Sequence, residues 1–327
     1  MILFLNFRYE NMNSIELAIG NTPMVELKSF DLPPGIRIFA KLEFLNPGGS
    51  IKDRVVNHIF NDAEARGLLC RGSTVIENTS GNTGAAIAML AAARGYRVIL
   101  TMPDKVSKEK QDTLRALGAE VIMCPTSAAP DSPEHYVQVA KSLHADTPNS
   151  FMLHQYDNPL NPEAHKLTTG PEIWRDLKGG ISVFVAAGST GGTISGISRY
   201  LKSQDKTIRS VLLDPKGSIY YKYFYEGVID PLVIGPYQVE GVGEDHLAKC
   251  MDFEMIDDVI QFDDAAAFGT CRLLAQKEGL LCGGSSGANV WGCLQVAKRL
   301  SSPANIVTVL PDSGVKYLSK IYNSPFT

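Results

Sequence analysis

The stretch LNPGGSIKDR, residues 45–54, decides how this chain is read. Its lysine, Lys52, follows Pro-Gly-Gly-Ser rather than lying on an open polar face. Glycines at such a place permit unusual dihedrals and close backbone approach. An apolar-periodic segment follows, which predicts that Lys52 lies at the mouth of a helix. The plainest account is a turn, with Ser50 as N-cap of that helix. Alone, the segment supports no more; three further strand–loop–helix junctions give the lysine a chemical setting.

The bulk properties exclude several classes. The chain has 327 residues, enough for two domains, with 44% hydrophobic and 20% charged residues and no low-complexity tract. A net charge of −4 with dispersed basic residues argues against a nucleic-acid partner or an anionic membrane surface. The six cysteines, Cys70, Cys124, Cys250, Cys271, Cys282 and Cys293, form no C-x-x-C pair and no zinc spacing. They read as reduced thiols of a cytoplasmic protein, and no metal site is expected. The N-terminus MILFLNFRYENMNS lacks a basic n-region and has too short an apolar run for a signal peptide. Met12 is an alternative start that would make residues 1–11 an additional arm. No run of about 18 apolar residues predicts a membrane span.

Short β-branched runs alternate with helical patterns. TVIENT (74–79), VILTM (98–102) and EVIMCP (120–125) read as strands, with helices over 82–93, 107–117 and 135–144. After a loop at QYDNPLNPEAH (155–165) a second series begins with ISVFVAA (181–187), a helix over 192–202 and SVLLD (210–214). VIQF (259–262), a helix over 263–278, another after Ser286 and NIVTVL (305–310) complete it. Residues 215–245, rich in Gly, Pro and Tyr, read as a long functional loop. The alternation predicts an α/β fold of two halves joined near residue 150, with parallel sheets covered by helices on both faces. Ligands bind such sheets at the carboxyl ends of the strands, where each polar motif falls.

AAGSTGGTISG (186–196) is a strand, a Ser/Gly/Thr loop and a helix start. Helix N-terminal N–H groups, with hydroxyls from Ser189, Thr190 and Thr193, suit a phosphate. Neither a G-x-x-x-x-G-K-[ST] loop nor a G-x-G-x-x-G turn is present, so a single phosphate is the better match than a nucleotide. ENTSGNTGAA (77–86) crowds Thr79, Ser80, Asn82 and Thr83 around Gly81, more polar groups than one N-cap requires, and suits a carboxylate. In LCGGSSGAN (281–289) an apolar strand is expected to end in Gly-Gly, with Ser285 or Ser286 capping the next helix. Phosphate cradle, carboxylate nest and lysine together suit pyridoxal phosphate acting on an amino acid.

With these motifs the chain resembles the fold-type II, tryptophan-synthase-β-like pyridoxal phosphate enzymes, in the cysteine synthase and cystathionine β-synthase branch. The resemblance runs from about Asn13 to Tyr322 through NTPMVEL (21–27), KLEFLNPGGSIKDR (41–54), ENTSGNTG, QYDNPLNPEAHKLTTGPEIW (155–174), GSTGGT (188–193), DPKGS (214–218), EGVGED (240–245) and LCGGSSGAN. It implies two three-layer αβα domains with mainly parallel twisted sheets and the cofactor between them. Residues 1–40 would pack with the large domain, 41–153 form a smaller mobile domain seating the substrate carboxylate, and 154–327 form the large cofactor-binding domain.

Lys52 matches the lysine that joins the cofactor and then acts as general base. Asn82 matches the residue bonding the ring hydroxyl, and Ser189, Thr190, Gly191, Gly192 and Thr193 match the phosphate loop. Ser285 matches the serine facing the ring nitrogen, which would weaken the electron sink and favour β-elimination over transamination. Thr79, Ser80, Asn82, Thr83, Gln155 and Gly243 match substrate contacts. The implied reaction is β-replacement through an aminoacrylate: L-serine or O-acetylserine reacts with sulfide or homocysteine to give L-cysteine or cystathionine. An amine nucleophile or a serine/threonine dehydratase remain same-fold alternatives, as do acetate, phosphate and hydroxide as leaving groups. An inactive relative acting as a binding partner would be expected to lack Lys52 or the phosphate loop. Ser189 stands where many relatives have glycine. Glu244 and Asp245 read either as contacts to the nucleophile's amino group or as solvated acids. Neither a haem ligand within residues 1–20 nor a paired regulatory domain is expected. A homodimer, with the N-terminal arm crossing to the partner, is.

Overall fold

The computed structural model describes residues 14–79, 81–129, 131–301 and 303–323. Met12 with the rest of residues 1–13, and Ser80 of the carboxylate nest, lie outside the described residues. The chain enters with β1 (Met24–Leu27), β2 (Ile36–Lys41) and α1 (Lys52–Ala65). An alternating series follows: β3 (Thr74–Asn78), α2 (Asn82–Arg94), β4 (Arg97–Pro103), α3 (Lys108–Ala116), β5 (Glu120–Cys124), α4 (Tyr136–Asp146) and β6 (Ser150–Phe151). Helices α5 (Leu160–Leu167) and α6 (Thr169–Asp176) lead into β7 (Val183–Ala187), α7 (Gly192–Gln204), β8 (Arg209–Pro215) and α8 (Tyr220–Glu226). The last elements are β9 (Asp258–Phe262), α9 (Asp264–Leu273), α10 (Gly284–Arg299) and β10 (Ala304–Val309).

Two sheets result. The smaller runs β5-β4-β3-β6 and is wholly parallel. The larger runs β1-β2-β10-β7-β8-β9 and is parallel except for its edge pair, β1 with β2. The period-2 alternation of strand side chains explains why each sheet carries helices on both sides. In β7 and β8, Val185, Val211 and Leu213 point into a core shared with α9 and α10, while Phe184, Ala186 and Leu212 point into one shared with α7. In the smaller sheet Val75, Val98 and Leu100 pack with α1 and α2, whereas Ile76 and Ile99 meet Ala140 of α4. The chain is thus an α/β protein of two domains with mainly parallel sheets.

Several expectations need correction. Residues 215–245 are not loop throughout: Tyr220–Glu226 form α8, because the buried Tyr220 ring stacks edge-on against Phe253 at 5.7 Å. The expected loop at 155–165 is half helix, since Pro159 and Pro162 fall at the start of α5, where no backbone donor is required. Leu281–Cys282 form no strand but an isolated bridge, Cys282 to Ser313, and Ser50 forms another to Asp312. Neither Ser285 nor Ser286 caps α10; both lie within its first turn, behind an N-cap at Gly283. Ile51 is the N-cap of α1, with Ser50 Oγ accepting the Lys52 N–H at 3.3 Å.

Candidate active site

The turn before Lys52 is closed by Asp53. Gly48 N donates to Asp53 Oδ2 at 2.6 Å, and a Cβ on Gly48 would meet Asp53 Oδ1 at 2.4 Å. Burial pushes the Asp53 carboxyl up to about 6, against that backbone donor. Arg54 then pins the helix. It forms paired contacts of 2.7 and 2.8 Å to Glu43 and the same to Glu172, while Lys41 reaches Glu172 at 2.9 Å. These fixed neighbours leave Lys52 projecting from the first residue of α1 into a cleft. Among the described residues its ammonium has no hydrogen-bond partner. Burial holds the amine below the usual lysine range, opposed by the charges of Cys250, Asp312 and Glu244.

The same cleft is lined by Asn82, Ser189, Thr190, Gly191, Thr193 and Ser285. The loop between β7 and α7 makes a cradle. Gly191 has φ +85°, and Thr190 Oγ1 accepts from Gly192 N at 3.4 Å and from Asn161 Nδ2 at 3.0 Å. A Cβ on Gly192 would meet Asn161 Oδ1 at 1.9 Å, and that buried oxygen is itself unpartnered. Thr193 Oγ1 lies 3.3 Å from His165 Nε2. Burial, then the charge of Lys52, keeps His165 well below the usual histidine range, so it sits under the loop as neutral imidazole. Ser189 differs from its expected role in one respect: its hydroxyl donates to Glu244 Oε1 at 2.5 Å. Glu244 is therefore no solvated acid, with 14% side-chain exposure against 70% for Asp245.

At the α2 N-terminus Thr83 Oγ1 donates to Gln155 Oε1 at 2.7 Å, joining two of the expected carboxylate contacts. Thr79 is buried, with Gly81 N pointing to its hydroxyl at 3.4 Å. Gly243 is not itself among the residues lining the cleft. Its N–H donates to Gly188 O at 2.6 Å and it packs on Pro215, while Glu240, Gly241 and Val242 line the wall. Sequence reasoning missed Asn289, whose Oδ1 accepts from Ala187 N at 2.7 Å and whose Nδ2 donates to Val309 O at 2.8 Å. This ties the ends of β7 and β10 beneath the cleft. The motif LCGGSSGAN contained it, but nothing in the pattern marked it. A separate hollow of about 430 Å³, between α1 and residues 151–160, is lined by Asp157, Asn158, Pro159 and Leu160 of the 155–174 stretch but by none of the expected site residues.

These residues fit a pyridoxal phosphate. A phosphate needs the glycine cradle at the α7 N-terminus, an aldehyde needs the unpartnered amine, and a ring needs the space between Asn82 and Ser285. Comparison with known proteins agrees. Residues 15–312 match the family described as "Pyridoxal-phosphate dependent enzyme", and the chain belongs to it. It is 46% identical over 316 residues to a cystathionine beta-synthase of Apis mellifera, covering 94% of this chain and 61% of that protein. It is 39% identical over 309 residues to an O-acetylserine dependent cystathionine beta-synthase of Bacillus subtilis (strain 168), covering 94% and 97%. The crystal structure of an O-ureido-L-serine synthase superposes with a TM-score of 0.87 at 35% identity, covering 96% of each chain. The chain spans between 54% and 62% of the length of the longer cystathionine beta-synthases it matches. Among the described residues no helix is long and apolar enough to cross a membrane.

Proposed function

We propose that the chain catalyses β-replacement on L-serine or O-acetyl-L-serine with a sulfur nucleophile, sulfide or homocysteine, giving L-cysteine or cystathionine. The observation carrying this reading is that Lys52, Asn82, the 189–193 loop and Ser285, from four separate stretches, share one cleft. Pyridoxal phosphate, when bound, supplies an electron sink conjugated with the substrate's amino group. Lys52 Nζ, with its proton affinity reduced by burial, takes the proton from the substrate Cα. The α7 N-terminus, with Thr190, Gly191, Gly192 and Thr193, holds the phosphate, and Ser189 adds a contact when released from Glu244. The Ser285 hydroxyl would hold the ring nitrogen. Thr79, Ser80, Thr83 and Gln155 would seat the substrate carboxylate, with Gly243 bracing the wall through its bond to Gly188. Residues 41–153 form a mobile unit that closes over the substrate and excludes water, against a larger unit of 154–327 to which residues 1–40 add.

The relatives' names support a sulfur nucleophile, and their two donors support serine and its acetyl ester alike. The O-ureido-L-serine synthase neighbour favours a second reading, a nitrogen or oxygen nucleophile on the same scaffold. The reading includes a homodimer and a cytoplasmic location, and the six free cysteines suit the second of these.

The test is an absorption spectrum of the purified protein with pyridoxal phosphate, followed by L-serine or O-acetyl-L-serine. A visible band that shifts with one donor, and returns when sulfide or homocysteine is added, names both substrates. A colourless protein that Lys52→Ala leaves unchanged would refute the reading.

A further inference from the structure

The side chain of Asn82 is gripped at both ends. Its Nδ2 donates to Asp312 Oδ2 at 2.8 Å, and its Oδ1 accepts from Lys316 Nζ at 2.7 Å. Flipping the amide would set its oxygen against a carboxylate and its N–H against an ammonium, so these two partners select one orientation. Both partners are themselves fixed. Asp312 is 2% exposed, and Tyr317 Oη donates to the same Oδ2 at 2.7 Å. The backbone carbonyl of Asp312 accepts from Gly283 N at 3.0 Å. Lys316 lies over the turn that leads to Lys52: its Nζ is 3.5 Å from Gly49 O, and a Cβ on Gly49 would stand 3.6 Å from it. Neither Asp312 nor Lys316 belongs to any motif at the strand-to-helix junctions.

We propose that Lys316 and Asp312 are positioning residues that clamp the Asn82 amide, keeping its second Nδ2–H for an oxygen of the ligand in the cleft. Asn82 lines that cleft, and one of its two N–H groups is engaged by Asp312. The identity of the ligand oxygen, the ring hydroxyl of pyridoxal phosphate, rests on the function proposed above. Lys316 acts through Asn82 and touches no substrate. Its cation also draws electron density from the amide through Oδ1, making the remaining N–H a stronger donor.

The experiment loads wild type, Lys316→Met, Lys316→Arg, Asn82→Ala and the Lys316→Met/Asn82→Ala double variant with pyridoxal phosphate. It reads the absorption maximum of the bound cofactor and its dissociation constant by ultrafiltration, with circular dichroism confirming the fold. Lys316→Met is expected to shift the band and weaken retention about tenfold, the loss of one charge-assisted hydrogen bond. Lys316→Arg restores both, and Lys316→Met adds little in the Asn82→Ala background because the two residues act in series. Full additivity in the double variant, an unshifted band in Lys316→Met, or equal loss in Met and Arg variants overturns the clamp. A wild type that retains no cofactor overturns the proposed function itself, a separate and distinguishable result.

Discussion

A Cβ atom at Gly191 would stand 2.4 Å from the Met251 Cα, at a backbone φ of +85°. Side-chain-bearing residues rarely adopt that conformation, and the neighbour is backbone that cannot swing aside. Gly191→Ala is therefore expected to destabilise the cofactor-free protein by about 3 kcal/mol, combining left-handed strain with overpacking. Urea unfolding checks this, and an unchanged midpoint would show that the cradle is looser than drawn. Thr190 and Thr193 were legible in the sequence because they fall at a strand-to-helix junction, and Lys52 and Ser285 because each follows a Gly-Gly pair at a helix start, where a short string of residues already implies geometry. Asn161 and Asn289 were not: they bond partners 29 and 102 positions away. The contacts of Asp312 and Lys316 with Asn82 span 230 and 234 positions. Such pairings are created by topology, and no local pattern encodes them.

The elements around Lys52 carry acid–base consequences. Burial would raise the Glu172 carboxyl, but Arg54 and Lys41 hold it down to about 2, from the usual 4.5. A carboxyl whose pKa is lower in the folded than in the unfolded state stabilises above its unfolded value and loses that contribution as pH falls through the folded one. Between pH 4.5 and 2 the ties among β2, α1 and α6 should accordingly weaken by about 2 kcal/mol after allowance for solvent screening. Glu77 has the opposite sign. Burial pushes its carboxyl up to about 7, despite N–H donors from Leu153 and His154. The folded state then holds the proton more tightly, and stability falls as pH rises from 4.5 to 7. Urea midpoints across pH 3 to 8 should show both slopes. Glu172→Gln should flatten the acid one and Glu77→Gln the neutral one; a slope surviving its own substitution would reject that assignment. Element types were readable wherever burial is two-sided and the apolar run long, as in β7 and β8. The helices α5 and α8 were hidden, by prolines in the first case and aromatic density in the second.

On the scale of the whole molecule, the cleft is bridged by charge. Lys110 of α3, beside the smaller sheet, pairs with Glu240 on the cleft wall, and Glu240 also contacts Lys320 at 3.1 Å. Lys110 lies 5.2 Å above the Tyr317 ring as well. If the smaller unit closes as proposed, this pair favours the closed arrangement. Lys110→Met should raise KM for the amino-acid donor about threefold with little change in kcat, the scale of a partly exposed ion pair. Steady-state kinetics at low and high salt check this: added salt should reproduce the effect in the wild type and not in the variant. A KM that ignores both changes would remove the pair from any part in closure.

The chain after β10 has a consequence for how such an enzyme can change over generations. Ser50, two residues before Lys52, bridges to Asp312, and Cys282, three residues before Ser285, bridges to Ser313. Two side chains of the cleft, Lys52 and Ser285, are thereby registered against one short datum. Residues 216–244, with α8 and part of the cleft wall, make neither bridge. Given the function proposed above, substitutions in this wall should change the choice of acceptor while the two bridges stay in place.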